Sequence, residues 1–325
     1  MAYLIGTDEA GYGPNLGPLL IAGTVWHVED DGQDLDLYRR LQGCIDRMPS
    51  TSPDRERVVI ADSKILYQPA KGVRLLERAL LSCLTLLDKQ FAGWQPLWDE
   101  LAPHSKSTRD ALPWYHDFHC DLPLVCESDE ISSLAASLRR TFQASHVRLV
   151  AIASTAVFPG PFNDLVESYG NKSTLLSLTT LSLVKRLMSD LKLDASPERI
   201  FVLCDKHGGR SRYGAMLQQT FPEYLVEVRA ERPAESIYCW GPTSRRVEMR
   251  FQACGESFLP TALASITAKY LREAAMRAFN TFWCDQVPDL HPTAGYPVDA
   301  RRFRAKIESA RQRLAINEYD LWRTR

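Results

Sequence analysis

Leu4-Ile5-Gly6-Thr7-Asp8-Glu9-Ala10-Gly11-Tyr12-Gly13-Pro14 carries a short apolar run into two adjacent carboxylates and then into a glycine turn. A second apolar run, Leu16 to Trp26, follows at once. The pattern predicts a strand that ends in two acids, a loop of bare backbone amides, and a second strand returning alongside. Adjacent carboxylates repel, so a pair at the end of a core strand calls for a cation. Hard oxygen donors favour Mg2+ or Mn2+ over zinc. The same pair also occurs in solvated hairpin loops, and strict alternation puts Asp8 and Glu9 on opposite faces of a strand. Both reach one centre only where the strand ends or distorts.

The 325 residues, 45% hydrophobic and 24% charged, suit a soluble globular protein of one large or two modest domains. A net charge of −1 supplies no global field toward nucleic acid or anionic membrane, so a polyanion site has to be a local patch. The stretch from Asp299 onward offers one: Arg301, Arg302, Arg304, Lys306, Arg311, Arg313, Arg323 and Arg325 stand against Asp299, Glu308, Glu318 and Asp320. A solvated amphipathic helix reads equally well there. Eight cysteines without a C-x-x-C pair, and no basic-then-apolar leader, predict reduced thiols in a cytoplasm and no membrane association.

Along the chain, a polar region with a short helix around Leu35 to Ile45 leads to a third strand, Arg57 to Ala61, that delivers Asp62-Ser63-Lys64. Apolar spacing then predicts a helix within Gln68 to Lys89. Residues 92–146, with Trp94, Trp98, Trp114, His104, His116, His119, Cys120 and Cys126, read as an insertion or small subdomain. Paired zinc-ligand spacing is missing, so local packing accounts better for its histidines. Val147 to Val157 reads as a strand and Asn171 to Leu193 as a helix. Arg199 to Cys204 is a strand delivering Asp205 into Lys206-His207-Gly208-Gly209-Arg210. Strands near Tyr224 to Arg229 and Arg246 to Ala253 follow, then a small-residue helix from Thr261 to Phe279. The loop His291 to Pro297 and a basic helix close the sequence. This mixed order predicts an α/β layer structure around one sheet.

Asp8, Glu9 and Asp205 thus fall at predicted strand ends, and Glu273 on the small-residue helix. Four converging carboxylates with two divalent ions make a phosphoryl-transfer site.

At this point the sequence resembles ribonuclease HII, the type 2 ribonuclease H family. The matching pieces run in the family's order: Asp8 to Gly13 with Leu16-Gly17-Pro18, Asp62-Ser63-Lys64 with Pro69-Ala70-Lys71, and Asn171 to Thr174. Val202 to Asp205, Gly255-Glu256 with Ala264 to Glu273, and Gly295-Tyr296 follow. The resemblance implies a ribonuclease H-like fold over 1–91 and 147–325, a central mixed sheet flanked by helices, with 92–146 inserted. It implies endonucleolytic cleavage of RNA in RNA–DNA hybrids, or at ribonucleotides embedded in DNA, leaving 3′-hydroxyl and 5′-phosphate ends. Asp8, Glu9, Asp205 and Glu273 would hold two Mg2+ or Mn2+ ions, one activating water and the other stabilising the departing 3′ oxygen. Gly11, Tyr12 and Gly13 would approach the phosphodiester, Lys64 and Asn171 the backbone phosphates, and Tyr296 the 2′-hydroxyl junction.

The departures bear on substrate choice. Tyr12 stands where the family has arginine between the glycines, Glu273 where it has aspartate, and His207 lies in an enlarged turn after Asp205. His207 reads either as a proton relay or as a loop histidine bound to backbone. Glu256 reads as a partner of a substrate-facing cation or as structural. Two other functions compete: a non-cleaving nucleic-acid-binding module whose insertion takes a protein partner, and a nuclease for structured DNA.

Overall fold

The computed structural model describes residues 1–29, 36–50, 56–68, 72–242, 246–253 and 255–324. Leu35, Pro69-Ala70-Lys71 and Arg325 lie outside these residues, as does the side chain of Glu256.

In chain order the strands are β1 (Ala2–Ala10), β2 (Leu19–Val28), β3 (Ile45–Asp46), β4 (Val58–Val59), β5 (Val147–Val157), β6 (Arg199–Asp205), β7 (Glu227–Glu231), β8 (Glu235–Trp240) and β9 (Val247–Gln252). The helices are α1 (Leu37–Arg40), α2 (Ser63–Leu66), α3 (Arg74–Leu86), α4 (Trp94–Leu101), α5 (Lys106–Asp110), α6 (Pro113–His116) and α7 (Ser128–Ala144). They continue with α8 (Pro159–Tyr169), α9 (Lys172–Asp190), α10 (Gly214–Thr220), α11 (Leu259–Gln286), α12 (Pro297–Arg313) and α13 (Glu318–Leu321).

Seven strands form one mixed sheet in the order β5-β2-β1-β6-β9-β8-β7. β1 pairs antiparallel with β2 and parallel with β6, and β6 pairs parallel with β9. The C-terminal ends of β1 and β6 therefore emerge side by side. This is the mixed sheet flanked by helices that the sequence implies. One core lies between the sheet and α11, and a second lies under α9. A Cβ on Gly6 would stand 2.2 Å from the Pro260 carbonyl carbon, so glycine is what lets α11 lie directly on β1. Among the described residues no helix is long and apolar enough to cross a membrane.

Three expectations change. The strand expected at Arg57 to Ala61 shrinks to β4, which pairs with β3 outside the main sheet. β8, absent from the sequence reading, completes the antiparallel end of the sheet. Residues 92–146 do not build a core of their own. Trp94, Trp98 and Trp114 are buried in the cluster that contains Leu4, Trp26, Phe279 and Trp283. Trp114 meets Phe279 and Trp283 of α11 at ring-centroid distances of 5.4 and 6.3 Å. These tryptophans anchor the segment inward, against α11.

Candidate active site

Alternation along β1 sorts its side chains onto the two faces. Leu4 joins the core under α11, and Ile5 the core under α9. Asp8 follows Leu4 and Gly6 onto the α11 face, where Ser265 hydrogen-bonds to it. Glu9 goes to the other face, beside Tyr12 and the start of α9. On β6, Cys204 belongs to the α9 side, so Asp205 turns to the α11 side. The parallel register runs to Thr7 opposite Cys204. One step further, Asp8 and Asp205 are same-face neighbours on adjacent strands, separated by about 4.8 Å of strand spacing.

Asp8 is only 9% exposed. Burial, then the charge of Glu9, and to a smaller degree that of Asp205, push its pKa well above the ordinary carboxylate value. Hydrogen bonds from Ser265 and from the Glu9 backbone work in the opposite direction. Asp205 accepts a hydrogen bond from the Gly255 N–H at 3.2 Å, which brings the backbone before Glu256 against it. Among the described residues no group of three or more His, Cys, Asp or Glu is gathered closely enough to hold a metal ion. The alternation that sends Glu9 to the far face explains this. The donor chemistry still fits a hard dication: two carboxylates on one face, a third around the strand end, and a mutual repulsion that such an ion relieves.

Glu273 is not brought to these acids. Ser265 is the α11 residue that touches Asp8, and Glu273 lies two turns beyond it, about 12 Å along the axis. Its carboxylate is occupied by the Tyr67 hydroxyl and by Lys269, each at 2.7 Å. As the fourth acid, Glu273 would have to leave these two partners. Helical periodicity identifies the face of a helix but not the turn that crosses the strand end.

The remaining expected residues separate into two groups. Gly11, Tyr12 and Gly13 form the turn beyond the acids. Gly11 has φ +89°, and a Cβ there would meet Arg272 Nε at 2.5 Å. Tyr296 is 55% exposed, with its Cε1 3.7 Å from where a Cβ on Gly13 would stand. The Tyr12 ring lies 4.7 Å from Lys172 Nζ and hydrogen-bonds to Ser173. Asn171 is spent locally: it caps α9 by accepting the Thr174 N–H at 2.8 Å. Lys64 is exposed beside Asp62 at 3.8 Å, and Asp62 caps α2.

His207 is not a relay at the surface. It is buried against α9, with Nδ1 3.0 Å from Ser177 Oγ and Nε2 3.4 Å from Thr180 Oγ1. Burial and Arg210 push its pKa down to about 3. The basic patch is also smaller than its sequence suggests. Arg302, Arg304 and Arg311 pair with Asp299, Glu318 and Glu308, and Arg323 is buried. Sequence reasoning passed over Ser265, although it lies inside the Ala-Ser-Ile motif, and passed over the contact of Gly255 with Asp205.

The chain matches no family model and no curated protein. Among solved structures it is similar to ribonuclease HII of Archaeoglobus fulgidus in its complex with PCNA, at 14% identity over 99% of this chain and 94% of that chain, TM-score 0.41. Similarity extends to ribonuclease H2 of Pyrococcus horikoshii OT3, at 14% identity over 98% and 92% of the two chains, TM-score 0.39. Bst-RNase HIII in complex with Mn2+ is similar at 15% identity over 99% of this chain and 66% of that chain, TM-score 0.43.

Proposed function

We propose that this chain is a divalent-metal-dependent endonuclease of ribonuclease H type. It cuts the RNA strand of RNA–DNA hybrids, or ribonucleotides embedded in DNA, and leaves 3′-hydroxyl and 5′-phosphate ends. The observation that carries this reading is the placement of Asp8 beside Asp205 at the ends of adjacent parallel strands, with the Asp8 pKa raised by burial and then by neighbouring negative charge. The ordered sequence motifs support it. Asp8 and Asp205 would hold Mg2+ or Mn2+ with help from Glu9, and the fourth donor would be Glu273 or the acid that follows Gly255 in sequence, Glu256.

When bound, the metal supplies charge neutralisation at the phosphodiester and activation of water. The chain's own groups do the rest. Ser265 orients Asp8, the Gly255 N–H orients Asp205, the Gly11–Gly13 turn brings backbone amides to the substrate, and Tyr296 stands at the turn as a stacking surface for a base or sugar.

Incubation with Mg2+ or Mn2+ and three duplexes tests this: an RNA–DNA hybrid, DNA with one ribonucleotide, and plain DNA. Cleavage of either of the first two, lost in Asp8→Asn and Asp205→Asn, is expected. One observation favours a non-cleaving binding module instead, namely that among the described residues no three acids stand within reach of a common ion. Tight duplex binding without any product would establish that reading, and cleavage of plain DNA would establish a structured-DNA nuclease.

A further inference from the structure

We propose that Arg323 is a positioning residue for the proposed cleavage: its guanidinium holds the Gly11–Pro14 turn so that the Tyr12 N–H faces outward to the substrate. The inference rests on the functional reading above.

Arg323 is 1% exposed although it carries a charge. Among the described residues no carboxylate pairs with it. Its Nη2 donates to the carbonyl of Gly11 at 2.6 Å and to that of Pro14, and the guanidinium carbon lies 4.8 Å over the Phe162 ring. Its Nε and Nη1 are buried without a hydrogen-bond partner among the described residues. The backbone fixes it in register: the Arg323 N–H donates to the Asn15 carbonyl at 2.9 Å, and Asn15 Nδ2 donates to the Arg323 carbonyl at 3.1 Å. Asn163 holds the same segment through the carbonyls of Tyr319 and Trp322, at 3.2 and 2.9 Å. Arg272 works alongside, donating to the carbonyls of Leu16 and Ala294 at 3.4 and 3.0 Å.

Charge placement of this kind is costly, because a buried guanidinium without a counter-ion loses hydration that carbonyl dipoles restore only in part. An apolar side chain of similar volume would cover Phe162 at lower cost. It could not hold two carbonyl oxygens at once, which the planar fork does. In a trans peptide the C=O and the following N–H point in opposite directions. Drawing the Gly11 carbonyl inward therefore turns the Tyr12 N–H outward. Sequence alone hides this, since both the donor and its acceptors look unremarkable and lie far apart in the chain.

The test compares wild type, Arg323→Met and Arg323→Lys for steady-state cleavage of the hybrid and single-ribonucleotide duplexes, thermal stability, and amide hydrogen exchange at residues 11–16. In Arg323→Met, kcat is expected to fall about tenfold or more with KM changed less than about threefold, as for a misplaced catalytic geometry. Exchange at Asn15 and Leu16, whose N–H groups donate to the Gly295 carbonyl in the held turn, rises, while Tm stays level or increases. Arg323→Lys, which keeps charge without the fork, falls between, and it carries the test if the methionine variant does not fold. Unchanged kcat and unchanged exchange in a folded variant overturn the proposal. A wild type that cleaves neither duplex sinks the functional reading instead. The hold on the turn is then judged by exchange alone, and unchanged exchange refutes it.

Discussion

The hydroxyls of Ser63 and Ser265 lie 2.9 Å apart, and the Ser63 N–H also points at the Ser265 oxygen at 3.5 Å. Ser265 in turn hydrogen-bonds Asp8, so the first residue of α2 is tied through α11 to the acid on β1. A donor to a carboxylate favours its charged form. In Ser265→Ala, Asp8 loses that donor and its pKa rises further. Mg2+ affinity, measured by calorimetric titration across a pH series, is expected to weaken and to require a higher pH for its plateau. An unchanged pH dependence would show that the serine does not tune the acid.

Asp8 has a folded-state pKa raised above its unfolded value, so the native state binds more protons in the window between the two, and stability falls as pH rises through it. At neutral pH the metal-free protein therefore carries a penalty from this group. Asp8→Asn removes it. The expected result is a higher Tm than wild type without metal, together with loss of the Tm increase expected for the wild type on adding Mg2+ or Mn2+.

Glu273→Gln should retain cleavage within a few-fold, because its carboxylate serves Lys269 and Tyr67. Asp205→Asn should lose at least about a hundredfold, the scale of removing a group that holds the reacting geometry. Glu256→Gln is expected to behave like Asp205→Asn. A Glu273→Gln enzyme as inactive as Asp205→Asn would restore the α11 acid to the metal set.

His207 stays neutral when folded, with its pKa pushed down to about 3, whereas the unfolded chain protonates it near the ordinary imidazole value. The unfolded state therefore binds the extra proton between these values, and stability drops as pH falls through that window. Its slope is up to about 1.4 kcal/mol per pH unit. Denaturant midpoints measured from pH 7 to pH 4 should show this slope in wild type and a shallower one in His207→Gln.

Trp114 tests whether residues 92–146 are a separate unit. Its ring sits among Phe279, Phe282 and Trp283, so Trp114→Ala is expected to cost about 3–5 kcal/mol. Calorimetry should still show one transition, moved to lower temperature. Two separable transitions would mean that the segment melts on its own.

Much of this was legible in the residues. β5 has the bounds that its apolar run predicts, and β6 and α9 lie within a few residues of theirs, because each is a long apolar pattern with clear boundaries. Asp8 and Asp205 were legible as acids at strand ends. The partners that orient them were less so, since Ser265 and the Gly255 amide act through small groups with no compositional signature. β8 escaped because Glu235–Trp240 follows β7 closely and shows no strong turn chemistry before it. Residues 92–146 read as an insertion or small subdomain because the burial of their tryptophans depends on α11, far along the chain. Arg323 counted as part of a basic patch, when its acceptors are main-chain oxygens that sequence pattern does not reveal.

The bond between Asn15 and Arg323 spans 308 positions, which has a bearing on the order in which the molecule assembles. Closing so long a loop carries a large entropic cost, so the clasp that holds the turn beside the two aspartates depends on the whole chain between them being in place.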